Sequence, residues 1–164
     1  MQIYKIYFFL ILLILLNNNC AYFNTFYNAK LYYNDAEKIR LQNEGKATPI
    51  SAIDKYGKVI EKCQKVLKDY PETRYFNDAI LLMAQARYYR GDYNLAIESL
   101  NQIEDNKNIR IFENSIYWNS LCKWKKGNSQ ISIEQLESLL IKTKSKELKS
   151  KCHLSLSEIY KELK

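Results

Sequence analysis

A chain of 164 residues, 47% hydrophobic with only four Gly and two Pro, is long enough to bury one sizeable core and too short for two independent ones. Few turn residues beside abundant Leu, Ile, Lys, Glu and Ala disfavour an all-β fold and favour a mostly helical chain. The formal net charge of +7 invites a nucleic-acid reading, but no nucleic-acid module signature accompanies it, and no nucleic acid is expected as a partner.

Residues 1–20 carry one charge, Lys5, then the unbroken apolar run Ile6 to Leu16, three Asn and Cys20. Eleven apolar residues make about 16 Å of helix, roughly half the hydrocarbon thickness of a bilayer, so residues 1–19 read as a signal peptide rather than a span. A secretory signal ending on Cys resembles that of bacterial lipoproteins, in which the Cys is acylated and becomes the first residue of the mature chain. Asn17 and Asn19 stand where such signals usually carry Leu and a small residue. An uncleaved short anchor and a plain secreted or cytosolic chain are the alternatives. Attachment at Cys20 by two or three acyl chains would hold the protein firmly, since one chain alone binds marginally.

From Tyr22 a helical stripe runs through Phe26, Ala29, Tyr33 and Ala36 at steps of three or four, with Asn24 or Thr25 as the expected N-cap. Phe23 and Tyr27 fall off that stripe and are expected at the membrane surface, where aromatic rings settle. The stretch QNEGKATP, residues 42–49, breaks the period and reads as a loop. A second helix, 52–69, carries Ile53, Tyr56, Val59, Ile60, Cys63, Val66 and Leu67 on one face, with Ser51 and Asp54 as a variant capping box and Pro71 beyond its end. Helices are then expected over 74–90, 93–104, 110–126, 130–142 and 146–163. Lys142, Lys144, Lys146, Lys149 and Lys151 cluster at the last link, either as a solvated helix face or as a basic patch for anionic lipid or an acidic partner.

The turn glycines Gly91 and Gly127 are 36 residues apart. A period in the thirties with two helices per unit marks an α-solenoid, in which each unit buries its faces on its neighbours. DAILLMAQARYYRGDYNLAIESL, residues 78–100, resembles a tetratricopeptide repeat: Ala84 and Ala96 hold its small positions, Tyr88 the aromatic stretch, Gly91 to Tyr93 the turn, and Arg87 stands where an aromatic is usual. Ser120, Gly127 and Ser132 hold the same places in the next unit, and Ser157 is the expected small position of the last helix. The fold class is therefore all-α, an α-solenoid of tetratricopeptide-like helix pairs with about three and a half repeats. Its units are 20–71 with a long first helix and loop, 74–108, 110–143 and the terminal helix 146–163. The last helix stands either as a capping helix or as the first half of a further pair.

Nucleotide-binding, zincin and serine-hydrolase motifs are all missing. His153 sits beside Cys152, about 100° away around a helix, which is no catalytic pair by spacing. Cys20, Cys63, Cys122 and Cys152 lack metal-ligand spacing; the last three read as small buried residues, with a disulfide between two of them left open. The expectation is a non-enzymatic protein without cofactor, metal or small-molecule substrate. In tetratricopeptide repeats the first helix of each pair lines a groove for extended peptides, and the resemblance places Leu81, Gln85, Tyr88, Tyr89, Tyr117, Leu121 and Trp124 there. Core packing between repeats is the alternative for each ring. The opening CAYFNTFYNAKLYYNDAEK and the segment from AIDKYGKV to AIESL further resemble the tetratricopeptide lipoproteins related to the outer-membrane β-barrel assembly lipoprotein. That resemblance implies a periplasm-facing, lipid-anchored protein of the bacterial outer membrane whose partners are the barrel-assembly subunit or barrel clients. A general periplasmic scaffold for envelope or peptidoglycan machinery is the alternative.

Overall fold

The computed structural model describes residues 24–103 and 108–164. Among them the chain forms α1 (24–41), α2 (Ile50–Asp69), α3 (Phe76–Arg90), α4 (Tyr93–Leu100), α5 (Ile109–Lys125), α6 (Ser129–Lys142) and α7 (Lys146–Glu162), and no strand. Residues 24 and 25 are already helical, so neither Asn24 nor Thr25 is the cap of α1, and Tyr22 lies outside the described residues. Phe26, Ala29 and Ala36 are buried along its stripe. In α2, Ala52, Tyr56, Val59, Cys63 and Val66 alternate steps of four and three and are all buried, the spacing that keeps one stripe on one neighbour.

Helix ends follow backbone chemistry more than side-chain caps. Pro49, in extended conformation, is the N-cap of α2, and its carbonyl accepts from Ala52 and Ile53 at 2.9 and 3.1 Å. The expected Ser51–Asp54 box is therefore not used: proline stops extension toward the loop, and Ser51 and Asp54 lie exposed within the helix. Asn108 and Ser145 do cap α5 and α7, accepting from the amides of Ile111 and Leu148. Gly91 at φ 83° and Gly127 at φ 86° end α3 and α5. At each, the glycine amide donates three residues back and the next amide five back: Gly91 to Tyr88 and Asp92 to Arg87, Gly127 to Trp124 and Asn128 to Lys123. These are two copies of one Schellman turn.

The core runs as three successive clusters, one on α1–α3, one on α3–α5 and one on α5–α7. Consecutive helices pack together, and α3–α5 and α5–α7 touch across the intervening helix. Shared between clusters, α3 is buried nearly all round through Ala79, Ile80, Leu81, Met83, Ala84 and Ala86. α4 ends at Leu100, earlier than the expected 104. Arg87 explains its own departure from the aromatic pattern, because its guanidinium donates to the Leu95 carbonyl at 2.9 Å and to the Ser99 hydroxyl. Burial lowers its pKa, and these bonds tie α3 to α4.

Burial repeats with the glycine period. Leu81 and Tyr117, Ala84 and Ser120, Ala96 and Ser132, Leu100 and Leu136, each 36 residues apart, are all buried. From α5 to α7 the offset is 35: Ser120 matches Ser155, Leu121 matches Leu156 and Trp124 matches Ile159, all buried. Ser157, expected at the small position, is exposed, since two residues along a helix turn a side chain about 200° away. The Ser132 hydroxyl is buried without a hydrogen-bond partner among the described residues, whereas Ser120 bonds the Ile116 carbonyl and Gln135. Ser132→Ala, the residue found at the matching position 96, is expected to raise stability by about 1 kcal/mol in a urea melt.

Cys63, Cys122 and Cys152 are free and buried, each in a different cluster. Burial pushes the first two thiols up to about 12 and Cys152 up to about 11. No pair of these three forms a disulfide, which closes the alternative left open above. Near pH 8 the native chain is expected to leave all three unreacted with a thiol reagent, and unfolding to release them.

Candidate functional site

Four helices bring aromatic rings into one continuous series. Tyr33 of α1 meets Tyr56 of α2 edge-on at 5.9 Å, and Tyr56 stacks on Tyr89 of α3 at 5.3 Å and 19°. Tyr88 stands edge-on to both Tyr89 and Trp118 of α5 at 5.3 Å, and Trp118 in turn meets Tyr117 at 5.6 Å. Each such pair contributes about 0.5–1.5 kcal/mol beyond its buried area. A polar anchor fixes one end. Arg40 donates to both carboxylate oxygens of Glu37 at 2.9 and 2.8 Å, one helical turn away, and the Tyr56 hydroxyl donates to the same carboxylate. That hydrogen bond with Glu37 raises the Arg40 pKa and keeps it charged, and its guanidinium lies 4.4 Å from the Tyr89 ring centre.

A cavity of about 440 Å³ opens over this series. The 42–49 loop forms one wall through Asn43 to Lys46 and Thr48; Arg40, Tyr88, Tyr89 and Tyr93 form the floor; Trp124, Lys125 and Glu158 close the far side. Burial raises the pKa of Tyr88 and Tyr89, so both stay neutral phenols, and neither hydroxyl has a hydrogen-bond partner among the described residues. Trp124 is more committed: its ring N–H donates to Glu162 at 2.9 Å and the Lys125 ammonium sits 3.5 Å from its ring centre. Lys46, Glu44 and Glu158 form no ion pair among the described residues. The cavity thus offers aromatic faces, unspent phenol hydroxyls and charges of both signs at its rim. That combination suits a polypeptide segment, with backbone amides for the hydroxyls and a side chain for the rings.

Of the expected groove residues, Tyr88, Tyr89 and Trp124 converge on this cavity. Gln85 is half-buried on α3 and does not line it. Leu81, Tyr117 and Leu121 are corrected to core positions at 7%, 8% and 5% exposure, because α3 and α5 have neighbours on several sides and little open face. Tyr117 spends its hydroxyl on Ser155 at 3.0 Å inside the core. Tyr27 is half exposed, whereas Cys20 and Phe23 lie outside the described residues, as does the whole of 1–19. The sequence reading missed Arg40, Lys46 and Glu158. The spacing of Glu37 and Arg40 signals a helical ion pair; no local pattern marks Lys46 or Glu158, which the fold alone brings to the rim. His153 is exposed on α7 and is not part of the cavity lining. Among the described residues no helix is long and apolar enough to cross a membrane.

No family model, curated protein or solved structure matches the chain.

Proposed function

We propose that this protein is a non-enzymatic adaptor whose helix pairs are tetratricopeptide-like repeats, and that its tyrosine-lined cavity holds an extended segment of a partner protein. The observation that carries this reading is the convergence of Tyr88, Tyr89 and Tyr93 with unpaired Lys46 and Glu158 around one cavity. The repeat assignment is supported by the 36-residue recurrence of the Schellman turn and of the buried small positions, the layout of quasi-one-dimensional helical arrays. Attachment through Cys20 to the periplasmic side of the bacterial outer membrane, and service to β-barrel protein insertion, are supported by the N-terminal sequence and by the family resemblance. Partners are then the barrel-assembly subunit or unfolded barrel clients.

Two measurements test it. Intact mass of the membrane-extracted protein should show residues 1–19 removed and acyl chains added; an unprocessed Met1 start counts against the lipoprotein reading. Affinity capture from solubilised envelopes should enrich barrel proteins or their assembly subunit. Recovery of wall-building enzymes without barrel proteins would instead favour a general periplasmic scaffold.

A further inference from the structure

We propose that the α6–α7 end of the molecule is a second, peripheral contact with an anionic bilayer surface, made by Lys142, Lys144, Lys146 and Lys149 around the exposed Ile141. All four lysines are exposed and form no ion pair among the described residues; Lys151, the fifth of the cluster, is spent on Glu147 at 2.5 Å. Ile141 is 83% exposed, the most of any large apolar side chain among the described residues. Ile109, 64% exposed, lies beside them, since it and Lys142 line one cavity. Unpaired lysines around projecting isoleucines match an interface of anionic headgroups above acyl chains. An acidic protein partner could meet both the charges and the isoleucine; the position of this face in the fold favours the bilayer.

The geometry of the helix ends supports the same occupant. Phe26, near the start of the described chain, stacks on Tyr75 at 5.2 Å, just before α3. The start of α3 reaches the start of α5 through the Asp78–Arg110 pair at 3.2 Å. Glu113, in the first part of α5, accepts from Thr143 at 2.8 Å just after α6, and α7 begins three residues later. The α6–α7 lysines therefore occupy the same end of the helix array as Phe26 of α1. If the N-terminal sequence attaches to a membrane, the part of the proposed function on which this step rests, that membrane meets this face. The contact goes beyond the cavity reading and does not require acylation of Cys20.

The test uses the full chain as Cys20→Ser, Ile141→Cys, with an environment-sensitive fluorophore on position 141, the three remaining thiols being buried. Vesicles containing phosphatidylglycerol should shift the emission to the blue. The shift should fall at least about tenfold in lipid affinity on Lys142→Glu, Lys144→Glu, Lys146→Glu and Lys149→Glu together, and weaken in about 0.5 M salt. Phosphatidylcholine vesicles should leave the emission as it is in water. A label that stays water-exposed on anionic vesicles overturns the proposal. So does a blue shift that survives the four charge reversals, whose exposed positions leave the core clusters untouched.

Discussion

Tyr56→Ala should lower the free energy of unfolding by about 3–5 kcal/mol, a large part of what a single domain has. Tyr56 is fully buried, stacks on Tyr89, meets Tyr33 edge-on and donates to Glu37. Truncation removes a ring whose volume three helices surround, and α1 to α3 relax only partly into the space. Tyr56→Phe separates the contributions, because it keeps the ring and leaves the hydrogen bond to a carboxylate unmade. Its cost should be about 1.5–3 kcal/mol, and urea denaturation of both variants gives the comparison. The Phe variant removes the tyrosine bond from Glu37 but leaves both Arg40–Glu37 hydrogen bonds in place, so the polar anchor at the cavity persists.

Gly91→Ala and Gly127→Ala should each cost about 1–2 kcal/mol, since both residues sit at positive φ, where a Cβ crowds the backbone. A Cβ built at either glycine meets nothing within 4 Å. The penalty is therefore conformational and should be equal at the two turns. The sites share no partner, so the double variant should lose about 2–4 kcal/mol, close to the sum. Asn at either position should cost less than Ala, because its side chain tolerates the left-handed region. Thermal or urea melts of the two single alanine variants check the equality; a clear difference between them would mean the turns are not equivalent copies.

Those glycines also explain how much of the fold was legible. Gly91 and Gly127 mark helix ends by a backbone requirement that the local sequence sets, and the small positions 84, 96, 120 and 132 come from the tetratricopeptide resemblance anchored on those turns. Ser157 was misplaced because no glycine marks the α6–α7 link: Thr143 to Ser145 turns the chain in three residues, and the repeat offset drops to 35. The start of α2 differs from the expected Ser51–Asp54 box because the Pro49 carbonyl accepts the first helical amides and takes the capping role.

The site was less legible than the fold. Tyr88 and Tyr117 look alike in sequence, as aromatic residues on α3 and α5 ahead of a turn glycine, yet one faces a cavity and the other the core. The difference arises from the neighbour each meets: Ser155 of α7 accepts or donates to the Tyr117 hydroxyl, while Tyr88 has the open 42–49 loop side before it. Arg87 was a departure from the aromatic pattern whose purpose appears only in the Leu95 and Ser99 bonds.

Site-specific photo-crosslinking in the intact envelope tests the central claim most directly. A photoreactive residue in place of Lys46 or Glu158, both exposed at the cavity rim, should capture a segment of a barrel protein or its assembly subunit. The same residue in place of Leu95, exposed on α4 away from the cavity, should not. Equal capture from all three positions, or none from the rim, would contradict the assignment of the tyrosine-lined cavity as the place where a partner segment binds.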